Sequence, residues 1–130
     1  MENLSPAQLT QLALDYKALG DQLMKYINDM AGQLTTLQYS DLSNRVGIIY
    51  HNVTLLSALS TYQTVQNLTP QLNSIKQAAT QVSGVLKTIA DVQKAINIAA
   101  DVVDIGTSIL SFNIGNIVSG VGSLVTDINS

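Results

Sequence analysis

One histidine, nine carboxylate residues and no cysteine bound the chemistry open to this chain. His51 is the side chain best suited to move a proton near neutral pH, yet no Asp or Glu lies near it in sequence to orient its ring, so it reads as a core or interface histidine rather than a general base. Asp101 and Asp104 sit three apart, a spacing that places two carboxylates on one helical face. Without a histidine or a third acid they make a poor metal site, and a solvated face is the expectation. Gly120-Val121-Gly122 follows no strand pattern and has no accompanying lysine, so it is no phosphate cradle. All five tyrosines fall in the first half, and Tyr16 and Tyr26 lie on an apolar stripe where they pack rather than stack on a ligand. No residue is assigned a catalytic, cofactor-binding or metal-binding role, and the chain is expected to be non-enzymatic.

Charge narrows the partners. Lys17, Lys25, Arg45, Lys76, Lys87 and Lys94 are scattered, and the formal charge is -3, which speaks against nucleic acid. Charged residues make up 12% of the chain, against about a quarter in ordinary globular proteins, so Gln, Asn, Ser and Thr must cover much of the surface. The 130 residues suit one domain, residues 1–130. Met1 to Pro6 lacks the basic start and apolar core of a secretory signal, which predicts synthesis in the cytoplasm without a signal peptide and leaves later release onto a target membrane open.

Helices must position these groups. Ser5-Pro6 and Thr69-Pro70 both read as helix starts, with Pro at the first helical position and a hydroxyl cap before it; Gln8 completes a capping box with Ser5. Leu9, Leu12, Tyr16, Leu19, Leu23, Tyr26 and Met30 recur at steps of three and four. Leu34 and Leu37 extend this stripe after a stutter, predicting a first helix of about 50 Å that reaches Gln38. A break at Tyr39-Ser40-Asp41 then opens a second helix on Leu42, Val46, Ile49, Val53 and Leu56. Its lack of formal charge from Val46 to Ile75 predicts a central place in the bundle. The third stripe runs through Leu68, Leu72, Ile75, Ala79, Val82, Leu86, Ile89, Ile96, Ala100 and Val103, predicting one helix of roughly 60 Å to about Phe112. Flanking positions lack paired Glu and Lys rows, which favours an antiparallel bundle over a parallel two-stranded coil.

From Ile105 to Thr126 there is no Asp, Glu, Lys or Arg. A short fourth helix is expected on Ile114, Ile117, Val118, Val121, Leu124, Val125 and Ile128, capped by Asn113 or Asn116. Its glycines cost roughly 1 kcal/mol each relative to Ala, so packing must supply the stability. Ser111, Gly115, Ser119 and Ser123 recur every fourth residue and would let backbones approach closely, against the bundle or against another helix. As one helix the segment would be about 33 Å long, but Asn113, Asn116 and the hydroxyls make it a poor permanent span.

In layout, these stripes and the charge-free tail resemble the α-helical pore-forming toxins. The resemblance implies an apolar segment hidden in the bundle until it meets a membrane. The expectation is therefore an all-α, elongated antiparallel helical bundle of three long helices plus a short apolar C-terminal helix, with residues 105–128 as a membrane-inserting or oligomerising tail. Ile105, Ile109, Leu110, Phe112, Ile117, Val118, Val121, Leu124 and Val125 would face lipid or the bundle. Expected partners are membrane lipid, under the right conditions, and further copies of the chain. The alternative is a soluble assembly or adaptor protein that binds partner helices or itself.

Overall fold

The structure, a computed structural model, describes residues 2–4, 6–59, 62–64, 69–88, 91–111 and 113–129. Its architecture is all-α and has five helices among the described residues, where the sequence predicts four. The first, α1 (Pro6–Met30), buries Leu9, Leu12, Tyr16, Leu19, Leu23 and Tyr26 along the three-four stripe. It ends earlier than expected. The amides of Gln33 and Leu34 both bond back to the Met30 carbonyl, and Thr35 starts a new helix.

That helix, α2 (Thr36–Ser57), has a complete capping box: the Thr35 hydroxyl accepts from the Gln38 amide at 3.1 Å, and the Gln38 side chain accepts from the Thr35 amide at 3.0 Å. Two satisfied end groups outweigh the weak apolar continuation through Leu34 and Leu37, and Leu37 is left 83% exposed. The break is thus at Thr35, not at Tyr39 to Asp41. Leu42, Val46, Ile49 and Leu56 face the core. The outer face of α2, with Ile48, His51 and Leu55, is exposed. The central helix is instead α1, which packs against α2, α3 and α4.

Residues Glu2–Leu4 (β1) pair antiparallel with Tyr62–Thr64 (β2), with Asn3 opposite Gln63. Next comes α3 (Thr69–Thr88), starting at the Thr-Pro pair, with Ile75, Ala78, Val82 and Leu86 buried. The predicted third helix then divides. Asp91 caps a separate helix, α4 (Val92–Leu110), its carboxylate accepting from the Gln93 amide at 2.9 Å. The new cap resets the rotational phase. Ala95, Ile98, Ala99, Val102, Ile105 and Ile109 form the buried face of α4, while Ile96, Ala100 and Val103, which the extended stripe would have buried, sit only partly covered at its flanks. Leu68 and Ile89 of that stripe lie outside the described side chains.

The last helix, α5 (Ile114–Asn129), is capped by Asn113, whose side chain accepts from the Asn116 amide at 3.1 Å. It packs chiefly on α4 and also on α3, and buries Ile117, Val121, Leu124 and Ile128.

Candidate functional site

The predicted tail is a helical hairpin. Its two helices contact each other in opposite residue order, with Ile105 near Gly120 and Asp101 near Asp127. Of the residues expected to face lipid or the bundle, Ile105, Ile109, Ile117, Val121 and Leu124 are buried and Leu110 is half-buried. Val118 and Val125 are 45% and 40% exposed, and Phe112 lies outside the described residues. On helical geometry, Val118 and Val125 continue the buried stripe of α5 sideways, on the flank away from Asp127.

The small residues fall elsewhere than at the tight contacts. Ser111 is the C-cap of α4, its hydroxyl donating to the Thr107 carbonyl at 2.9 Å, while Gly115, Ser119 and Ser123 are exposed. The close approach within the hairpin is at Gly120, where a Cβ would stand 3.0 Å from the Ile105 side chain. Ser119 and Ser123 line a shallow polar groove of about 330 Å³ between the helices, with Asp104, Thr107, Ser108 and Asn116 as its other polar walls. The hairpin is therefore amphipathic, with an apolar inner face and an outer face of hydroxyls, amides and glycines.

A buried polar node ties α4 to the first two helices. The Tyr16 hydroxyl donates to the Val102 carbonyl at 2.8 Å and accepts from the Asn52 amide at 3.4 Å. Burial pushes the Tyr16 hydroxyl up to about 12; the bond from Asn52 works the other way, and the charge of Asp104 adds to the rise. Gly106 makes room for this node, since a Cβ there would collide with the Tyr16 hydroxyl and stand 2.9 Å from the Asn52 amide nitrogen. Asn52 was not singled out by the sequence, and its place at the polar interruption of an otherwise apolar stripe is the signal that marks it.

Asp101 departs from the expected solvated pair. Asp104 is exposed, but Asp101 is half-buried and lies beside Asp127 across the hairpin. Burial, then the bond to Asp127, then the charges of Asp127 and Asp104 push the Asp101 carboxyl up to about 8. No local spacing could reveal this, because Asp127 comes from the next helix. His51, read as a core or interface residue, is exposed on α2.

Elsewhere, the Tyr50 hydroxyl donates to Asp21 at 2.7 Å, linking α2 to α1. Burial, with the Asp21 bond and charge, pushes Tyr50 up to about 12. Burial works upward on Asp21 as well, but hydrogen bonds from Lys17 and Tyr50 and the charge of Lys17 leave it below the ordinary carboxyl value. A largely apolar groove of about 490 Å³ runs between these helices beside Leu9, Ala13, Leu14, Val53 and Leu56.

Among the described residues, no three His, Cys, Asp or Glu side chains come together to hold a metal ion, and no helix is long and apolar enough to cross a membrane. No protein family, curated protein or solved structure matches the chain.

Proposed function

We propose that this chain is a non-enzymatic, membrane-active protein in which the α4–α5 hairpin, from about Ala95 to Ile128, leaves the bundle and turns its apolar face to lipid. One observation carries the reading. The hairpin joins a continuous apolar face, including Ile105, Ile109, Ile117, Val121 and Leu124, to an opposite face that is polar but holds no Lys or Arg from Ala95 onward. Leaving the bundle exchanges one apolar surrounding for another, so a modest change of conditions separates the two states. Neither helix needs to be apolar all round, because an amphipathic hairpin lies in the interface or joins other copies with its polar groove turned inward. Ser111, Gly115, Ser119 and Ser123 then supply the close contacts between copies in a homo-oligomer. An elongated antiparallel bundle with the hairpin as its detachable layer, made in the cytoplasm and released onto a target membrane, completes the reading. The layout it shares with helical pore-forming toxins is an analogy of architecture.

A second reading rests on the other hairpin. Leu14, Ile48 and Leu55 are exposed on α1 and α2, where a soluble adaptor would dock a partner helix or its own copy.

Dye release from liposomes between about pH 5 and 8 tests the first reading. Val118→Asp and Val125→Asp are the informative variants, because both positions are exposed in the bundle and tolerate charge there. Val121→Asp would unfold the bundle instead, since Val121 is buried. A carboxylate on an inserting face costs about 2–3 kcal/mol, so leakage should fall on the order of a hundredfold in either variant. Intact vesicles with the wild-type chain, or leakage unchanged in both variants, would sink the proposal. A defined oligomer without lipid, broken by Leu55→Asp, would favour the second reading.

A further inference from the structure

The face that α4 turns to the bundle is chiefly apolar, with Ala95, Ile98, Ala99, Val102, Ile105 and Ile109 buried along it. Apolar contacts hold helices together but specify their register weakly, and a single buried polar group fixes it. One such contact interrupts this face. The Tyr16 hydroxyl, reaching from α1, donates to the Val102 carbonyl at 2.8 Å, and the Asn52 side chain of α2 donates to the Tyr16 oxygen at 3.4 Å. Tyr16 is fully buried and Asn52 nearly so, which keeps water from competing for either bond while the helices stay together.

The contact is one-sided. Within α4 the Val102 carbonyl already accepts from the Gly106 amide, as helical geometry requires, and it receives Tyr16 on its second lone pair. If α4 leaves, its own backbone there remains satisfied, whereas Tyr16 and Asn52 stay behind and must bond to water. Gly106 belongs to the same device. A Cβ there would collide with the Tyr16 hydroxyl and stand 2.9 Å from the Asn52 nitrogen, so α4 carries a notch one turn beyond Val102 that admits the tyrosine. To this contact the hairpin brings a carbonyl and a notch, and no polar side chain that lipid would have to accept.

We propose that Tyr16 and Asn52 form a latch that holds the α4–α5 hairpin in the bundle and sets how readily it is released. The inference deepens the membrane reading and rests on it for what release achieves, while the latch itself is measured without lipid.

Hydrogen exchange of α4 and α5 amides, followed in the intact chain at one pH and without vesicles, reads the latch directly. Tyr16→Phe keeps the ring and removes the hydroxyl. Loss of this buried hydrogen bond should raise the opening constant of both helices about tenfold, with the amides from Leu42 to Ile49 in α2 unchanged. Asn52→Ala leaves the bond to Val102 in place, so it should act in the same direction and more weakly, and it serves where Tyr16→Phe disturbs folding. Unchanged exchange in α4 and α5 under both variants, or equal acceleration in α2, would overturn the latch. Dye release from phosphatidylcholine vesicles then reads the consequence. Tyr16→Phe should reach half-maximal leakage at a lower protein concentration than the wild-type chain, by up to about tenfold. Equal leakage despite a looser hairpin would overturn the latch as the control on release. Vesicles left intact by both chains, with exchange selectively faster in α4 and α5, would sink the membrane reading and leave the latch standing as a device of the bundle alone.

Discussion

Among the described residues, the fold contains two helical hairpins, a longer one (α1–α2) and a shorter one (α4–α5), whose charges are arranged differently. In α1–α2, three cations bond to carboxylates four residues away, Lys17 to Asp21, Lys25 to Asp29 and Arg45 to Asp41, and Tyr50 reaches across to Asp21. In α4–α5, Asp101 and Asp127 face each other across the helices, and the tight approach is made at Gly120. The first hairpin has a solvated, locally neutralised outer surface. The second has little charge, with Lys94 in its first turn and Asp101, Asp104 and Asp127 beyond it. The first hairpin pairs its charges along each helix, whereas the second depends on packing and on the Tyr16 node that docks it to the rest.

The largest effect should come from breaking that docking. Gly106→Ala places a methyl group against the Tyr16 hydroxyl and the Asn52 amide, both of them buried side chains. Overpacking of this kind costs about 3 kcal/mol, near the upper end of its usual range. Urea denaturation should show a lower midpoint. If α4–α5 is the separable unit, hydrogen exchange in α4 and α5 should accelerate before that in α2; equal acceleration everywhere would erase the distinction between the hairpins.

Much of this architecture is legible in the residues, and the failures are instructive. The stripe from Leu9 to Tyr26 is buried as its spacing implies, because a repeat sustained over about five turns leaves the helix one way to face the core. The boundary at Thr35 is legible too, in the capping pattern Thr35-Thr36-Leu37-Gln38, whereas the apolar spacing of Leu34 and Leu37 points across it. The third stripe failed for a different reason. Once Asp91 restarts the helix, the phase is set by how α4 meets α2 and α5, and spacing counted from Leu72 no longer applies. At the candidate site the apolar residues were visible and the Asp101–Asp127 contact was not, since residues twenty-six positions apart meet only through tertiary packing.

The two hairpins should also respond to pH in opposite directions. Asp21 lies below the ordinary carboxyl value, so its contribution is present above pH of about 4 and is lost as pH falls through its lowered value. Asp101 is raised, and its contribution is lost as pH rises towards about 8. Acid should therefore loosen α1–α2 while tightening α4–α5. Site-resolved exchange at about pH 3 and about pH 8 would sharpen the comparison, and Asp21→Asn should remove part of the acid response of α2 alone. The Asp21 effect will be the smaller of the two, because its side chain is 45% exposed and solvent screens its pairing.

The smallest effect separates two kinds of glycine within one hairpin. A Cβ at Gly122 would meet nothing within 4 Å, whereas one at Gly120 would press on Ile105 at 3.0 Å. In the bundle, Gly122→Ala should therefore gain the ordinary helix-propensity difference, about 1 kcal/mol, and raise the denaturation midpoint. Gly120→Ala receives the same propensity gain but must displace the Ile105 side chain, so it should end near zero or below. If the exposed glycines serve contacts between copies, Gly122→Ala should stabilise the isolated chain and yet lower dye release from liposomes. A gain in both would mean that the outward glycines have no part in assembly, and would leave only the apolar inner face to explain any action on membranes.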